Sequence, residues 1–201
     1  MPPNLFVARQ GIVTVKQALR RQMKEMLAAM PAIIMSEKSR VSAGKIISLE
    51  VFQADNPILL YMPLPGEPDT KQIALEAWKN GRTVAMPKIV SSSDGLMNAV
   101  KCSSLDDVEI GPFGILAPAS NDVIAPEEIG FVVVPALAYD RRGGRLGRGG
   151  GFYDRFLARM DARAAKCGLA FSEQIVDELP TDEHDETVDL IVTDEEILWC
   201  K

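Results

Sequence analysis

One histidine, His184, is all the imidazole that the sequence contains. Schemes in which a histidine base works with a second histidine are excluded, and so are histidine-rich metal sites. Cysteine is nearly as scarce. Cys102, Cys167 and Cys200 are odd in number and lack metal-ligand spacing, which argues against a disulfide framework and fits free thiols in a reducing compartment. No apolar run exceeds the length of a strand, so no membrane span is expected, and neither internal repeats nor low-complexity segments are present. Positive charge is in deficit: the net charge is −6 and the pI is near 4.9. The molecule as a whole is therefore not drawn to nucleic acid or to an anionic membrane, and any anion site must be local.

Acidic residues are also missing from the start of the chain, where Arg9, Lys16, Arg20, Arg21 and Lys24 precede the first one, Glu25. Such a bias is shared with organelle transit peptides, but this segment has no serine, and its basic residues belong to a helix that continues into acidic and apolar positions. A cytoplasmic protein is expected. With 201 residues, 47% hydrophobic and 25% charged, the composition is that of one ordinary globular domain able to bury a full core. That domain is taken to span residues 1–201, with 1–13 as a loosely ordered extension.

What stands out is the stretch from Tyr139 to Leu157. It holds six glycines between positions 143 and 151, interleaved with Arg141, Arg142, Arg145 and Arg148. The strand-like run Phe131-Val132-Val133-Val134 precedes it, which predicts a loop at the carboxyl end of a buried strand, where open α/β sheets place ligands. Gly147, Gly149, Gly150 and Gly151 have no Cβ to keep an anion from the backbone, and they permit the positive φ that converging N–H groups require. Phe152, Phe156, Leu157 and Met160 then recur at helical spacing, so a helix N-terminus should close the loop. Ordering so many glycines is costly, and turn chemistry alone does not need arginines among them. The stretch reads as a polyphosphate cradle. It is not a P-loop, because no Lys-Ser/Thr pair follows, nor does it have the register of a dinucleotide fingerprint.

Upstream, Thr14 is placed as the N-cap of a first helix whose apolar stripe, Val15, Leu19, Met23, Met26, Leu27 and Met30, ends before Pro31. Lys16 and Arg20 share one face of it at i,i+4, either as a solvated basic face or as two reaches toward a common anion. Ser36 is placed as the cap of a second helix running to about Phe52, and the two helices should pack as a hairpin. Strands are predicted at 57–62, 83–86, 97–103, 131–134, 168–171 and 188–193, with 197–199 beside the last. Helices are predicted at 70–80 and from 152 to about 165. This order predicts a three-layer α/β/α sandwich with a mainly parallel sheet and an N-terminal helical hairpin. Strand ends at Met62, Met86, Val134 and Phe171 should open onto one crevice.

The segment from Arg145 to Asp154, Arg-Leu-Gly-Arg-Gly-Gly-Gly-Phe-Tyr-Asp, resembles the signature of the 5-formyltetrahydrofolate cyclo-ligase (methenyltetrahydrofolate synthetase) family. Lys16-Gln17-Ala18-Leu19-Arg20 resembles that family's N-terminal basic helix, and the segment from Met62 to Thr70 resembles its first substrate loop. Phe113-Gly114-Ile115, Leu169-Ala170-Phe171 with Gln174, and Val188-Asp189 follow in the expected order. The resemblance implies an ATP- and Mg²⁺-dependent closure of 5-formyltetrahydrofolate, with or without further glutamates, to 5,10-methenyltetrahydrofolate. It also implies roles for residues. ATP would be held by Lys16, Gln17, Ala18, Leu19 and Arg20 together with Arg145, Leu146, Gly147, Arg148, Gly149, Gly150, Gly151, Phe152 and Tyr153. The catalytic charges would be Lys16, Arg145 and Arg148. Folate would contact Met62, Glu67, Arg148, Gly149, Gly150, Gly151 and Phe152, and Mg²⁺ would be held by Asp154 and Asp189. Phe152 departs from the tyrosine usual before Tyr153. Competing expectations are an ATP-dependent paralogue acting on another small molecule and a non-catalytic RNA-binding relative; the 62–70 loop argues against the first and the acidic net charge against the second. The resemblance implies neither nucleic acid nor membrane as partner, and leaves the oligomeric state open between monomer and weak dimer.

Overall fold

The computed structural model describes residues 5–54 and 56–200, with side chains of the first helix described from Thr14 onward. Four α-helices, α1 (Leu5–Ala29), α2 (Ala32–Ile47), α3 (Lys71–Lys79) and α4 (Phe152–Leu157), alternate with short strands. In chain order these are β1 (Ile58–Leu59), β2 (Val84–Ser91), β3 (Leu96–Lys101), β4 (Val108–Ile110), β5 (Leu116–Pro118), β6 (Val123–Ile124), β7 (Phe131–Val134), β8 (Ala138–Asp140), β9 (Arg145–Leu146), β10 (Ala165–Leu169), β11 (Ile175–Val176), β12 (Leu190–Val192) and β13 (Ile197–Trp199).

The main sheet has the order β13-β12-β10-β7-β1-β2-β3-β6. Its centre, from β12 to β2, is parallel, and antiparallel strands flank it on both sides. The central strands are buried on both faces, as parallel strands under crossover helices must be. One face packs Ile58, Val84, Phe131, Val133 and Leu190 against Ala43 and Ile46 of α2 and Ile73, Ala74 and Ala77 of α3. The other packs Leu59, Val132, Val134 and Ile191 against Phe156 and Leu157 of α4 and Tyr139. These are the three layers, although the second face is covered partly by loop and small sheet instead of long helices. The small sheet, in the order β11-β8-β9, supports α1, whose Met23 and Leu27 pack on Leu137, Ala138, Leu146, Phe171 and Leu179.

Several boundaries differ from expectation. Residues 1–4 of the anticipated loose extension lie outside the described residues, and the backbone of 5–13 is already helical, so Thr14 is interior to α1 and not its cap. α2 starts at Ala32 because Pro31 takes the N-cap position in extended backbone, its carbonyl accepting from Ile34 and Met35. Ser36 therefore lies inside the helix. α1 and α2 adjoin across Met30–Pro31; α1 packs on the small sheet, while α2 packs mainly on the main sheet, with Met35 at its start joining the cluster of α1. The helix after the cradle is six residues long instead of reaching Ala165. Past Leu157 the bonding tightens to i→i−3, Arg159 N to the Phe156 carbonyl and Met160 N to that of Leu157, and Asp161 then opens a separate turn by accepting the Arg163 N–H at 2.8 Å. β2 runs on through Pro87 to Ser91, beyond the predicted strand of 83–86, and pairs with β3.

Candidate functional site

The glycine-arginine stretch divides into two devices. Residues 140–144 form the turn between β8 and β9, centred on buried Asp140, whose carboxylate accepts from Arg142 N, Gly144 N and Leu179 N. A Cβ on Gly144 would sit 2.5 Å from Asp140 Oδ2, so this glycine is required by the turn and not by an anion. Arg141 and Arg142 point outward to Glu196 and Glu178 at 2.8 and 2.6 Å. The cradle proper is shorter than the sequence suggested, and it leaves β9 of the small sheet instead of β7.

Beyond β9, residues 145–154 line a cavity of about 650 Å³. Lys16 and Arg20 of α1 line it from another side, and Tyr61, Met62, Leu64 and Glu67 line the wall after β1. Of the expected strand ends, Met62 faces the cavity directly and Met86 and Val134 are represented by their successors Pro87 and Pro135. Phe171 instead packs in the cluster beneath α1. Within 16–20, only Lys16 and Arg20 reach the cavity; Gln17 and Ala18 are exposed and Leu19 packs toward the small sheet. A helix presents i and i+4 on one side, so the remaining three residues cannot follow.

The cations are held in place. Arg145 is 3% exposed in its side chain; Nη2 donates to Asp154 Oδ1 at 2.5 Å and Nε to the Glu186 carbonyl at 2.9 Å. Lys16 Nζ lies 2.5 Å from Asp185 Oδ2. Arg20 Nε donates to the Gly147 carbonyl at 2.9 Å, which ties α1 to the loop. Arg148 Nε donates to Glu67 Oε1 at 2.8 Å, and Glu67, 6% exposed, also accepts the Leu64 N–H at 2.9 Å. Gly149 and Gly151 have φ of +106° and +68°, and Arg155 Nη1 donates to the Gly150 carbonyl at 3.0 Å, so the loop is fixed at both ends. α4 begins at Phe152 from Gly151, but at six residues its dipole adds little, and the local charges dominate.

Tyr153 is the most telling neutral group. Its buried hydroxyl has no hydrogen-bond partner among the described residues, and the residue is one of those that line the cavity. Burial pushes its phenol well up, and the Glu67 charge adds to this, so it is a neutral donor at any physiological pH. A buried donor left unpaired is costly unless something outside the fold satisfies it.

Asp189 is not brought to the cavity. It precedes β12 at the amino end of the strand, where its carboxylate takes the Lys166 N–H at 2.7 Å; sites in such sheets lie at the carboxyl ends. Asp185, which the sequence reading passed over, lines the cavity with Asp154. So do Pro87, Ile89 and Met97 of the β2–β3 ribbon and exposed Phe113, which has a φ of +60°. Both strands of the ribbon were expected in part, at 83–86 and 97–103, but the continuation of β2 past Met86 was missed because Pro87 and a polar run hide the strand pattern. Asp185 was missed because it lies in a loop of mixed acids with no period.

The sequence model of the 5-formyltetrahydrofolate cyclo-ligase family matches residues 12–194. The chain is 28% identical to the 5-formyltetrahydrofolate cyclo-ligase of Mus musculus, over 92% of this chain and 97% of that one. It is 29% identical to the enzyme of that name from Haemophilus influenzae, over 85% and 92% of the two chains. Among solved structures, it is similar to the NMR structure of Aquifex aeolicus 5,10-methenyltetrahydrofolate synthetase, with a TM-score of 0.82 and 29% identity over 93% of each chain.

Proposed function

The chain belongs to the 5-formyltetrahydrofolate cyclo-ligase family, and from that membership we propose that it uses ATP to close 5-formyltetrahydrofolate to 5,10-methenyltetrahydrofolate, releasing ADP and phosphate. One observation carries the reading. Two basic segments distant in sequence, Lys16 with Arg20 and the loop from Arg145 to Gly151, meet over a cavity whose other wall holds Met62 and Glu67.

The chemistry explains why ATP is needed. A formamide carbonyl is a weak electrophile and its oxygen leaves poorly. Moving the γ-phosphoryl group to that oxygen breaks a P–O bond to ADP and forms one to the formyl oxygen. N10 then attacks the formyl carbon, loses its proton, and the former formyl oxygen leaves as phosphate. Such a reaction asks for alignment and charge stabilisation, not for a histidine base or a serine nucleophile. Lys16, Arg20 and Arg145, with the free N–H groups of the glycine loop, would hold the polyphosphate. Arg148 stands between the two ligands, and Glu67 would accept from the pterin or from N10–H. Met62 and Phe152 would supply apolar contact to the folate.

Among the described residues no three His, Cys, Asp or Glu side chains gather into a metal cage. A Mg²⁺ ion carried by a nucleotide does not need one, because phosphates and water supply most of its ligands and one or two carboxylates suffice. Asp154 fits that requirement, and Mg²⁺ so held would offset charge on the phosphates.

The test is direct. Mixing the protein with 5-formyltetrahydrofolate and MgATP should raise the near-ultraviolet absorbance of the methenyl product. A folded protein that binds MgATP and yields no rise would overturn the cyclo-ligase reading in favour of a paralogue with another substrate.

A further inference from the structure

The β2–β3 ribbon and the glycine loop are distant in sequence, and one side chain lies between them. Arg155 is the fourth residue of α4 and reaches back toward the loop that precedes the helix, the direction in which helical side chains lean. Its Nη1 donates to the Gly150 carbonyl at 3.0 Å. A Cβ built on Gly95, in the turn between β2 and β3, would run into that same Nη1 and lie 2.7 Å from the Gly150 carbonyl oxygen. One built on Gly151 would lie 2.6 Å from Nη1. The guanidinium is therefore seated among glycines, with the ribbon behind it and the cradle in front.

Two further contacts keep this seat in place. The turn closes on itself, Ser91 Oγ donating to Asp94 Oδ2 at 2.6 Å and accepting from Asp94 N at 3.3 Å, so the place of Gly95 is set. Arg159 Nη2 donates to the Met97 carbonyl at 3.3 Å, which ties the ribbon to the segment that carries Arg155.

Arg155 is exposed, and among the described residues no carboxylate pairs with it. Its bond goes to a main-chain oxygen, and peptide geometry gives that bond a consequence. Across a planar trans peptide the C=O and the following N–H point in opposite directions. Gly150 and Gly151 line the cavity, whereas Arg155 and Gly95 are not among the residues that line it. Drawing the Gly150 carbonyl outward thus turns the Gly151 N–H inward. Among the described residues no acceptor takes the N–H of Gly149, Gly150 or Gly151. The Tyr153 hydroxyl, buried and without a partner, belongs to a residue of the same wall, an independent sign that a ligand belongs here.

We propose that Arg155 is a positioning residue for the reaction: seated against Gly95, it holds the Gly150 carbonyl out of the cavity and so aims the Gly151 N–H at the polyphosphate. The proposal rests on the MgATP reading above. It gives the β2–β3 turn a part in nucleotide binding although that turn lies outside the cavity.

Arg155→Met and Arg155→Lys separate this role from one in the fold, because the first keeps the stem and loses the donor while the second keeps one donor. Calorimetry without folate would give MgATP affinity, the absorbance assay the KM for 5-formyltetrahydrofolate, and a thermal melt the midpoint. The loop donor is misaimed and not deleted, so MgATP should bind Arg155→Met about tenfold more weakly, short of the ~10²–10³-fold lost in rate when a donor is removed. Arg155→Lys should recover most of that loss, and neither variant should shift the midpoint or the folate KM. The loss should also persist in raised salt, where an exposed charge acting through its field alone is screened. Unchanged MgATP affinity in Arg155→Met would overturn the proposal. So would a lowered midpoint with both ligands weakened, a lysine variant as weak as the methionine one, or a loss confined to low salt. Failure of the wild type to bind MgATP would instead strike the nucleotide reading itself, which the absorbance assay examines separately.

Discussion

Arg145 shows what a residue read from sequence gains from its surroundings. Its place in the cradle was legible, because an arginine among glycines before a helix has few other uses. Its buried pairing with Asp154 was not, since the two lie nine positions apart across a loop and no periodicity links them. The pairing changes the expected outcome of mutation. Arg145→Ala removes a preorganised charge, so kcat should fall about 10²–10³-fold, and it also takes from Asp154 its cationic partner. Urea unfolding should therefore show a loss of stability as well, of order 3 kcal/mol; full turnover with an unchanged midpoint would refute both roles. Tyr153 offers the opposite case. Removing an unsatisfied buried hydroxyl relieves desolvation, so Tyr153→Phe should be as stable as wild type or about 1 kcal/mol more stable by urea unfolding, yet slower in the absorbance assay. A variant that was less stable and fully active would show that the hydroxyl serves the fold.

At the scale of elements, the parallel strands were legible because continuous Val/Ile/Leu runs have only one place in an α/β fold. α3 was legible too, down to its stop at Gly81, whose φ is +72° and whose N–H returns to the Trp78 carbonyl at 2.9 Å. Less was readable where tertiary contacts outrank local pattern: the end of α4, the start of α2 and the division of the glycine stretch between a turn and a cradle. That division is testable. Gly151 needs positive φ and a Cβ there would meet Arg155 Nη1 at 2.6 Å, whereas a Cβ on Gly147 would meet only Arg145 Nη1, at 3.7 Å. Gly151→Ala should lower the thermal midpoint, by the ~1–2 kcal/mol of a left-handed residue, while Gly147→Ala should leave it nearly unmoved; equal effects would contradict the described loop. α2 is tied to the end of β12 by Lys38, which reaches Asp194 at 2.8 Å. Burial alone would push the Asp194 carboxyl up, but the Lys38 ammonium and the Ser172 N–H outweigh it and hold it below the usual range. A carboxyl that is a stronger acid when folded stabilises above its ordinary pKa of about 3.9 and loses that contribution as pH falls through its folded value. Asp194→Asn should thus cost about 1–3 kcal/mol at neutral pH, measured by urea unfolding, and the gap from wild type should close as the medium is acidified below about pH 4.

Over the whole molecule, an acidic protein carries its anion site as a local exception, assembled where α1, the small sheet and the strand ends of the main sheet meet. Among the described residues no helix is long and apolar enough to cross a membrane. The Arg20 bond to the Gly147 carbonyl makes α1 a wall of the cavity as well as a cover for the small sheet. Bound MgATP should therefore slow amide exchange in α1 around residues 14–22, with little change in the already buried β7; no slowing would place the nucleotide elsewhere. What unites these features is one claim, that a phosphoryl group passes to the formyl oxygen within this cavity. The most direct measurement starts from 5-formyltetrahydrofolate labelled with heavy oxygen in its formyl group. After a single turnover with MgATP, mass spectrometry of the released phosphate should find the label there, one atom for each methenyl product formed. Label recovered in water, with none in phosphate, would contradict it.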